Sequence, residues 1–141
     1  MKVYLAAPYS MKDIIVERAK ELRNLGISVT STWIDEPHKP TTQMHELTHE
    51  EHQTYALNDV GDVEAADVFV FHTDETGKIV RAGRHVEFGM AVILGRLRYM
   101  PIVVVGNQYE NIFHHLPNVF HYAAWAEAKA ALVALNCEFP E

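Results

Sequence analysis

Two carboxylates stand out for the chemistry that they could perform. Glu87 falls in the predicted first turn of a helix and is flanked by Val86 and Phe88, so little polar surface surrounds it. A partly buried carboxylate needs a partner, and one with a perturbed pKa is a candidate for catalysis. Asp59 lies beside an apolar stripe on an earlier helix and could point to the same site. The structural alternatives are an acid favoured by the helix dipole for Glu87 and a solvated helix face for Asp59.

A second pattern would indicate metal chemistry. Residues 45–49 match the zinc-binding pattern H-E-x-x-H, which on a helix places His45 and His49 one turn apart with Glu46 as general base. A third ligand is needed, and His52 is too close along the chain to supply it in the known spacing. A chance match is also plausible in a chain with nine histidines. We therefore expect no metal and no cofactor, and a zinc peptidase is a minor alternative.

The composition favours one domain that acts on a small molecule. With 141 residues, of which 48% are hydrophobic, the chain can form one core, and we expect a single domain over residues 1–141. The formal charge of -7 argues against a nucleic-acid partner, because such binding depends on Lys and Arg. Cys137 is the single cysteine, no apolar run is long enough to span a bilayer, and no signal-peptide pattern precedes the first strand. We expect a cytoplasmic protein with no membrane partner.

Hydrophobic periodicity alternates between strand and helix along the chain. The predicted strands are residues 3–7, 27–33, 67–72, 100–105 and 119–122. The predicted helices are residues 14–25, 84–94 and 123–135, with another that begins at Thr42 or Thr48 and ends at Ala65. This alternation predicts an α/β fold: a doubly wound, Rossmann- or flavodoxin-like parallel sheet of about five strands with helices on both faces.

In such sheets ligands bind beyond the carboxyl ends of the strands. Pro8 and Ser10 follow the first predicted strand, Trp33 ends the second, and Asp74 follows the third. Trp33 could stack on a base or pack in the core. Neither the G-x-G-x-x-G nor the G-x-x-x-x-G-K-[ST] fingerprint occurs, which argues against a Rossmann dehydrogenase or a P-loop enzyme.

The order and spacing of several short segments resemble a known family. Val-Tyr-Leu-Ala-Ala-Pro at residues 3–8, Asp59 eight positions before Asp67, and the Glu-Phe-Gly segment within residues 83–91 are similar to the nucleoside 2-deoxyribosyltransferases. The related deoxynucleoside 5'-monophosphate N-glycosidases share these segments, and the resemblance spans about residues 2–106.

The resemblance implies a role for each matching residue. Glu87 falls on the nucleophilic glutamate, Asp59 on the aspartate that holds and activates the substrate, and Tyr4 on the tyrosine that orients the glutamate. Asn111 matches an asparagine that some members lend to the neighbouring subunit, which implies a homo-oligomer with shared active sites, although a turn or helix cap is equally consistent with it. The further candidates for substrate binding are Pro8, Ser10, Trp33, Asp74, Gly83 and His85.

The sequence departs from the family at two places. Transferases of the family can carry a base-contacting aspartate before the glutamate, where this chain has Arg81. The monophosphate N-glycosidases use a serine- and glycine-rich turn with arginine after the first strand, and here only Ser10 and Lys12 could serve a phosphate, unless Arg81, Arg84 and His85 compensate. The recognition of the base and of a 5'-phosphate is therefore open.

The expected activity is deoxyribosyl transfer through a covalent glycosyl-Glu87 intermediate. A carboxylate opposite the leaving base both stabilises an oxocarbenium-like transition state and traps the sugar. The partners are a small-molecule nucleoside or nucleotide and a free nucleobase. The alternatives are a deoxynucleoside 5'-monophosphate N-glycosidase, which is a hydrolase, and a catalytically silent nucleotide-binding module.

Overall fold

The computed structural model describes residues 1–37, 39, 42–74, 82–107 and 111–139. Five strands form one parallel sheet, and four helices of twelve or more residues accompany it. The strands are β1 (Lys2–Ala6), β2 (Ser28–Val29), β3 (Val68–His72), β4 (Ile102–Val105) and β5 (Val119–Tyr122). The helices are α1 (Lys12–Asn24), α2 (His49–Ala65), α3 (Gly83–Leu97) and α4 (Trp125–Asn136).

The strand order is β2-β1-β3-β4-β5, and each neighbouring pair is parallel. Side chains alternate between the two faces of a strand, and β3 shows what covers each face. Phe71 packs edge-on against Phe88 of α3, whereas His72 lies against Trp125 of α4. Helices therefore cover both faces. The predicted doubly wound α/β fold is confirmed, and its order is the flavodoxin-like one.

The central strands form the core of the sheet. All five residues of β3 and all four of β4 are buried, as expected for continuous apolar runs in a parallel sheet covered on both sides. Tyr4 and Leu5 of β1 are also fully buried. Within the described residues, no helix combines the length and the apolar character that crossing a membrane requires.

The second strand is much shorter than predicted. Only Ser28–Val29 pair with β1, and Thr32–Asp35 form a 3-10 turn instead of continuing the strand. Side chains replace the backbone ladder here: Ser31 Oγ accepts a hydrogen bond of 2.6 Å from the Leu5 amide, and Trp33 Nε1 donates one of 2.8 Å to the Leu5 carbonyl. Such side-chain bonds compete with regular strand pairing, which is why the strand prediction over residues 30–33 is wrong.

The third helix differs from its predicted bounds at both ends. It begins at Gly83, so Glu87 lies in the second turn rather than the first, and the helix-dipole explanation for this acid loses its basis. It continues through Gly95 to Leu97. A Cβ at Gly95 would lie 3.2 Å from the Asn118 side chain and 3.3 Å from the Met100 carbonyl. Gly95 therefore permits close packing and does not cap the helix.

The start of the second helix separates the two histidines of the H-E-x-x-H pattern. Thr48 caps α2: its hydroxyl accepts from the Glu51 amide, and the Glu51 carboxylate accepts from the Thr48 amide, each at 3.1 Å. This reciprocal capping box decides between the two predicted helix starts in favour of Thr48. His45 lies in a separate 3-10 turn, Met44–Glu46, so it does not share a helix with His49.

The carboxyl ends of β3 and β4 approach each other closely at Gly106. Its φ of +103° is a conformation that side chains disfavour, and a Cβ there would lie 2.5 Å from the Asp74 amide nitrogen. Asp74 in turn forms a bidentate ion pair with Arg18, whose guanidinium lies 5.1 Å from the Trp125 ring centroid. This packing fixes the chain where it leaves β3 toward α3.

We expect Gly106→Ala to lower the free energy of unfolding by at least about 2 kcal/mol, because it adds backbone strain and a steric overlap. Gly61→Ala is the matched control, since a Cβ at this exposed position within α2 meets nothing within 4 Å. The control should stabilise the helix by about 0.5–1 kcal/mol. Urea unfolding measures both, and equal stability of the two variants would contradict this account of Gly106.

Candidate active site

A cavity of about 410 Å³ opens at the carboxyl end of the sheet, beside Ala7. The strand order reverses between β1 and β3, because the chain runs outward to β2 on one side and to β4 on the other. Such a switch point leaves a crevice in which ligands of doubly wound folds bind. The cavity is the candidate active site.

Three acids from three different segments line this cavity: Glu36, Asp59 and Glu87. Glu87 comes from α3, Asp59 from α2, and Glu36 follows the Thr32–Asp35 turn. All three are partly buried. Asp59 Oδ1 is buried and makes no hydrogen bond to any described residue, so it is available to a ligand.

The environment of these three acids raises their pKa values. Burial, reinforced by the charge of Asp59, raises the pKa of Glu87 to about 8, although the nearby Tyr4 hydroxyl opposes the shift. Burial and the nearby Asp62 raise the pKa of Asp59 to about 7. Burial and Asp59 raise the pKa of Glu36 to about 7 against the opposing effects of Lys12 and Tyr9. Near neutral pH the cluster therefore holds protons as well as charge, and its members titrate as a coupled set.

Tyr4 lies behind the nucleophile candidate. Its ring is fully buried and stacks on Phe69 with centroids 5.5 Å apart and planes 9° apart. Its hydroxyl makes no hydrogen bond of regular geometry within the described part of the chain, yet it lies close enough to Glu87 to affect both groups. Burial and the charge of Glu87 raise the pKa of Tyr4 well above its usual value, so the tyrosine stays protonated and can donate to the carboxylate.

Aromatic side chains also line the cavity and form an aromatic wall. Tyr9 and Trp33 lie with ring centroids 5.5 Å apart, and the bond from Trp33 Nε1 to the Leu5 carbonyl fixes the indole. Tyr55 also lines the cavity, as does His52, whose Nε2 lies 2.8 Å from the Met44 carbonyl. This contact ties α2 to the Met44–Glu46 turn. Tyr9 and Trp33 thus form an aromatic end of the cavity that offers planar surfaces, and Glu36 lies beside it.

Arg84 lines the cavity at the start of α3. Its guanidinium donates a 3.3 Å hydrogen bond to the His72 carbonyl and lies 5.2 Å from the Phe71 ring centroid. The cation is therefore held against the sheet at the base of the site.

The structure brings together only part of the predicted set. Asp59, Glu87, Trp33 and Gly83 line the cavity, and Tyr4 lies directly behind Glu87. These residues come from four separate segments of the chain. Their convergence is consistent with a shared function.

Two predicted residues that follow the first strand do not line the cavity. Pro8 is buried, and its carbonyl accepts a 2.8 Å hydrogen bond from the Met11 amide, which makes it part of a 3-10 turn. Ser10 is exposed on that turn. Asp74 is also outside the lining, because its carboxylate is engaged by Arg18.

His85 and Asn111 line a different cavity of about 430 Å³, together with Phe88 and Phe113. Asn111 caps the 3-10 turn Ile112–His115, and its Oδ1 accepts a 3.0 Å hydrogen bond from the Phe113 amide. Within its own chain Asn111 therefore serves as a cap. Arg81 lies outside the described residues.

Among the described residues that line the cavity, sequence reasoning missed four with polar or aromatic side chains: Tyr9, Glu36, His52 and Tyr55. A signal existed for two of them, because His52, Tyr55 and Asp59 are spaced three and four apart and so share one face of α2. Tyr9 lies between two residues that were singled out. Glu36 gave no local signal, since its position depends on the unexpected turn at Thr32–Asp35.

The structure does not provide the helix geometry that the zinc-peptidase alternative requires. The H-E-x-x-H pattern requires one continuous helix, whereas here α2 begins only after Thr48 and His45 lies in a separate turn. Among the described residues, no group of three or more His, Cys, Asp or Glu side chains is placed to hold a metal ion.

Comparison by sequence finds no counterpart: no protein-family model matches the chain, and no curated protein matches it. Comparison by structure does. A 2-deoxyribosyltransferase from the psychrotolerant bacterium Bacillus psychrosaccharolyticus is similar with a TM-score of 0.66 and 19% identity, over 94% of this chain and 96% of that one. A CMP N-glycosidase of Clostridium botulinum is similar with a TM-score of 0.57 and 19% identity, over 94% and 98% of the two chains. At this identity the similarities show that the fold is shared.

The raised pKa of Glu87 makes a prediction about stability. The stability associated with its protonated form is present at low pH and is lost as pH rises through about 8, so the ionised acid destabilises the fold. Glu87→Gln should therefore be more stable than the unaltered protein at about pH 9, by up to a few kcal/mol, since one pKa unit corresponds to about 1.4 kcal/mol. The gain should shrink toward about pH 5.

Thermal unfolding across this pH range measures the effect. Glu138→Gln is the control, because this exposed acid lies far along the chain in the turn after α4. If the stability difference between Glu87→Gln and the unaltered protein does not change with pH, the pKa of Glu87 is not raised by burial.

Proposed function

We propose that the protein is an enzyme that cleaves the N-glycosidic bond of a 2'-deoxynucleoside and transfers the sugar to another nucleobase. The observation that carries this proposal is the convergence of Glu87, Asp59 and Tyr4 with an aromatic wall in one cavity at the switch point. The names of the two structural neighbours, a 2-deoxyribosyltransferase and a CMP N-glycosidase, support the same reaction class.

In the first half of the reaction, the Glu87 carboxylate attacks the anomeric carbon on the face opposite the base. Positive charge develops on the sugar in the transition state, so the energetic cost of the buried carboxylate falls as the reaction proceeds. The Tyr4 hydroxyl directs the attacking oxygen. Asp59, with an acceptor oxygen unused by the described residues, holds the sugar or its attached base. A covalent glycosyl-Glu87 ester results.

In the second half, a different nucleobase enters the aromatic end of the cavity and attacks the ester. The planes of Tyr9 and Trp33 suit either base, because stacking on an aromatic ring tolerates any base and contributes about 1–3 kcal/mol. Water in place of the acceptor base would release free sugar, which is the hydrolase alternative.

The 5'-monophosphate is the less favoured substrate. The described lining carries three acids against the single cation Arg84, and this cation already bonds to the His72 carbonyl. A phosphate dianion would be repelled by the ionised acids at the distances of one cavity. An uncharged deoxynucleoside meets no such penalty.

A silent binding module is also less favoured, because the acid cluster opposes folding. Burying three carboxyls with raised pKa values lowers stability at neutral and alkaline pH, and this cost is characteristic of catalytic sites.

The proposed enzyme is a homo-oligomer in which Asn111 reaches a neighbouring copy's site. Exposed apolar side chains support this arrangement: Phe113 and Ile112 beside Asn111 are 56% and 78% exposed, and Val86 and Ile93 on α3 are 65% and 57% exposed. An exposed apolar surface of this kind is typical of protein interfaces. The cytoplasmic location expected from the sequence stays a prediction.

An exchange assay tests the proposed activity. The protein is incubated with a deoxynucleoside and a second free base, and the new deoxynucleoside is measured by chromatography. Glu87→Ala should lower kcat by at least about 10³-fold, because loss of a nucleophile removes the covalent route. Glu138→Ala is the control and should retain activity. Free deoxyribose without exchange would indicate a hydrolase instead of a transferase. If neither free deoxyribose nor the exchanged deoxynucleoside forms, the proposal is overturned.

The pH dependence of kcat/KM should be a narrow bell with its maximum between about pH 7 and pH 8. The reactive form needs an ionised Glu87, whose pKa is about 8, together with a proton on a neighbour whose pKa is about 7. This form is a minor one, but its population peaks between the two pKa values. Initial rates in overlapping buffers measure it, and a plateau from about pH 5 to pH 9 would contradict the coupled cluster.

A further inference from the structure

Glu36 is the acid of the cavity to which neither the predicted set nor the mechanism above assigns a role. It lies at the aromatic end, directly after the Thr32–Asp35 turn that carries Trp33, and it lines the cavity together with Tyr9. Its amide donates a 3.3 Å hydrogen bond to the Trp33 carbonyl, which fixes the backbone of Glu36 relative to Trp33.

Polar contacts fix this carboxyl group in place. The Tyr9 hydroxyl donates a hydrogen bond to the Glu36 side chain, and Lys12 Nζ donates one to the Glu36 carbonyl oxygen. Lys12 Nζ also lies 3.4 Å from the Tyr9 hydroxyl, which joins the three residues into one network. The Glu36 side chain is therefore held beside the aromatic residues of the cavity by these contacts.

The other two acids line the same cavity, Asp59 from α2 and Glu87 from α3. The charge of Asp59 raises the pKa of both Glu36 and Glu87, so the three acids act on one another within one site. A base that lies against Tyr9 and Trp33 is next to Glu36, because Glu36 directly follows the turn that carries Trp33.

We propose that Glu36 donates the proton that lets the base leave, and that it thereby selects bases with a ring nitrogen next to an exocyclic amine, such as cytosine, over imide bases such as uracil. The inference rests on the proposed function and specifies its base class.

The chemistry of the two base edges explains the selection. A protonated carboxyl group can donate its O–H to the ring nitrogen of cytosine and accept from the adjacent amine, which forms two parallel hydrogen bonds. If the proton moves to the ring nitrogen, both bonds become charge-assisted and stronger. Uracil also forms two bonds with the acid, but its ring nitrogen already carries hydrogen. The proton can then go only to a weakly basic carbonyl oxygen.

The atoms and charges balance in this step. The proton leaves the Glu36 carboxyl and bonds to the ring nitrogen, while the electron pair of the glycosidic bond moves into the base. The anomeric carbon forms a new bond to the Glu87 carboxylate oxygen. Glu36 becomes a carboxylate, Glu87 becomes a neutral ester, and the base departs neutral. The acceptor base returns a proton to Glu36 in the second half.

The test compares deoxycytidine with deoxyuridine, which differ only at the edge in question. The unaltered protein should have a kcat/KM for deoxycytidine at least about tenfold above that for deoxyuridine. Glu36→Gln should reduce this ratio to about one, with the loss mainly in kcat for deoxycytidine, because a positioned acid contributes to the chemical step. The amide keeps a donor and an acceptor but cannot transfer a proton, so KM should change less.

Two further variants separate chemistry from folding. Asp35→Asn is the matched control, an exposed acid of the same turn that does not line the cavity, and it should leave both rates unchanged. Glu36→Asp restores a carboxyl group and should recover part of the deoxycytidine preference. Melting temperatures confirm that each variant is folded.

The outcomes distinguish this inference from the function on which it rests. If the unaltered protein processes both nucleosides equally, or if Glu36→Gln slows both by the same factor, Glu36 is not the selective proton donor. If the unaltered protein processes neither nucleoside, the proposed function fails and this inference fails with it.

Discussion

The burial of three carboxyl groups around one cavity is the constraint on which the rest of the structure depends. Each of Glu36, Asp59 and Glu87 is harder to ionise because it is buried, and the charge of Asp59 raises the pKa of both Glu36 and Glu87 further. Such an arrangement lowers stability and requires support from elsewhere. The strands β1, β3 and β4 provide it, since their apolar side chains are buried on both faces of the sheet. The helices and the turn that carry the three acids pack on this sheet, and this packing keeps the acids close together despite the cost of their burial.

The irregular parts of the fold are what complete the site. A regular second strand would have continued past Val29 and carried residues 33–36 along the sheet. Instead, side-chain bonds from Ser31 and Trp33 to Leu5 stop the strand and turn it into the Thr32–Asp35 segment. Asp62 on α2 accepts a further bond of 2.8 Å from the Thr32 amide, which ties this turn to the helix that carries Asp59. The aromatic wall and the third acid owe their positions to these few contacts.

This origin explains what could be predicted from the sequence. The apolar runs of β3 and β4 and the capping box at Thr48 are local signals, and the strand order follows the expectation for a doubly wound fold. Glu87, Asp59 and Tyr4 were predicted as site residues because a family resemblance added to what local physics leaves ambiguous. Glu36 was missed because long-range bonds place it, and the end of the third helix was predicted too early because Gly95 packs closely against the Met100 carbonyl within the helix. Local patterns do not encode either kind of contact.

The central claim is that Glu87 forms a covalent bond to the sugar during turnover. The most direct measurement is acid quenching of the protein during reaction with a deoxynucleoside, followed by peptide mass spectrometry. The account predicts a deoxyribosyl mass increment on the peptide that contains Glu87, present in the unaltered protein and absent from Glu87→Gln. A deoxyribosyl group attached to another residue, or turnover without any adduct and with Glu87→Gln still active, would contradict it.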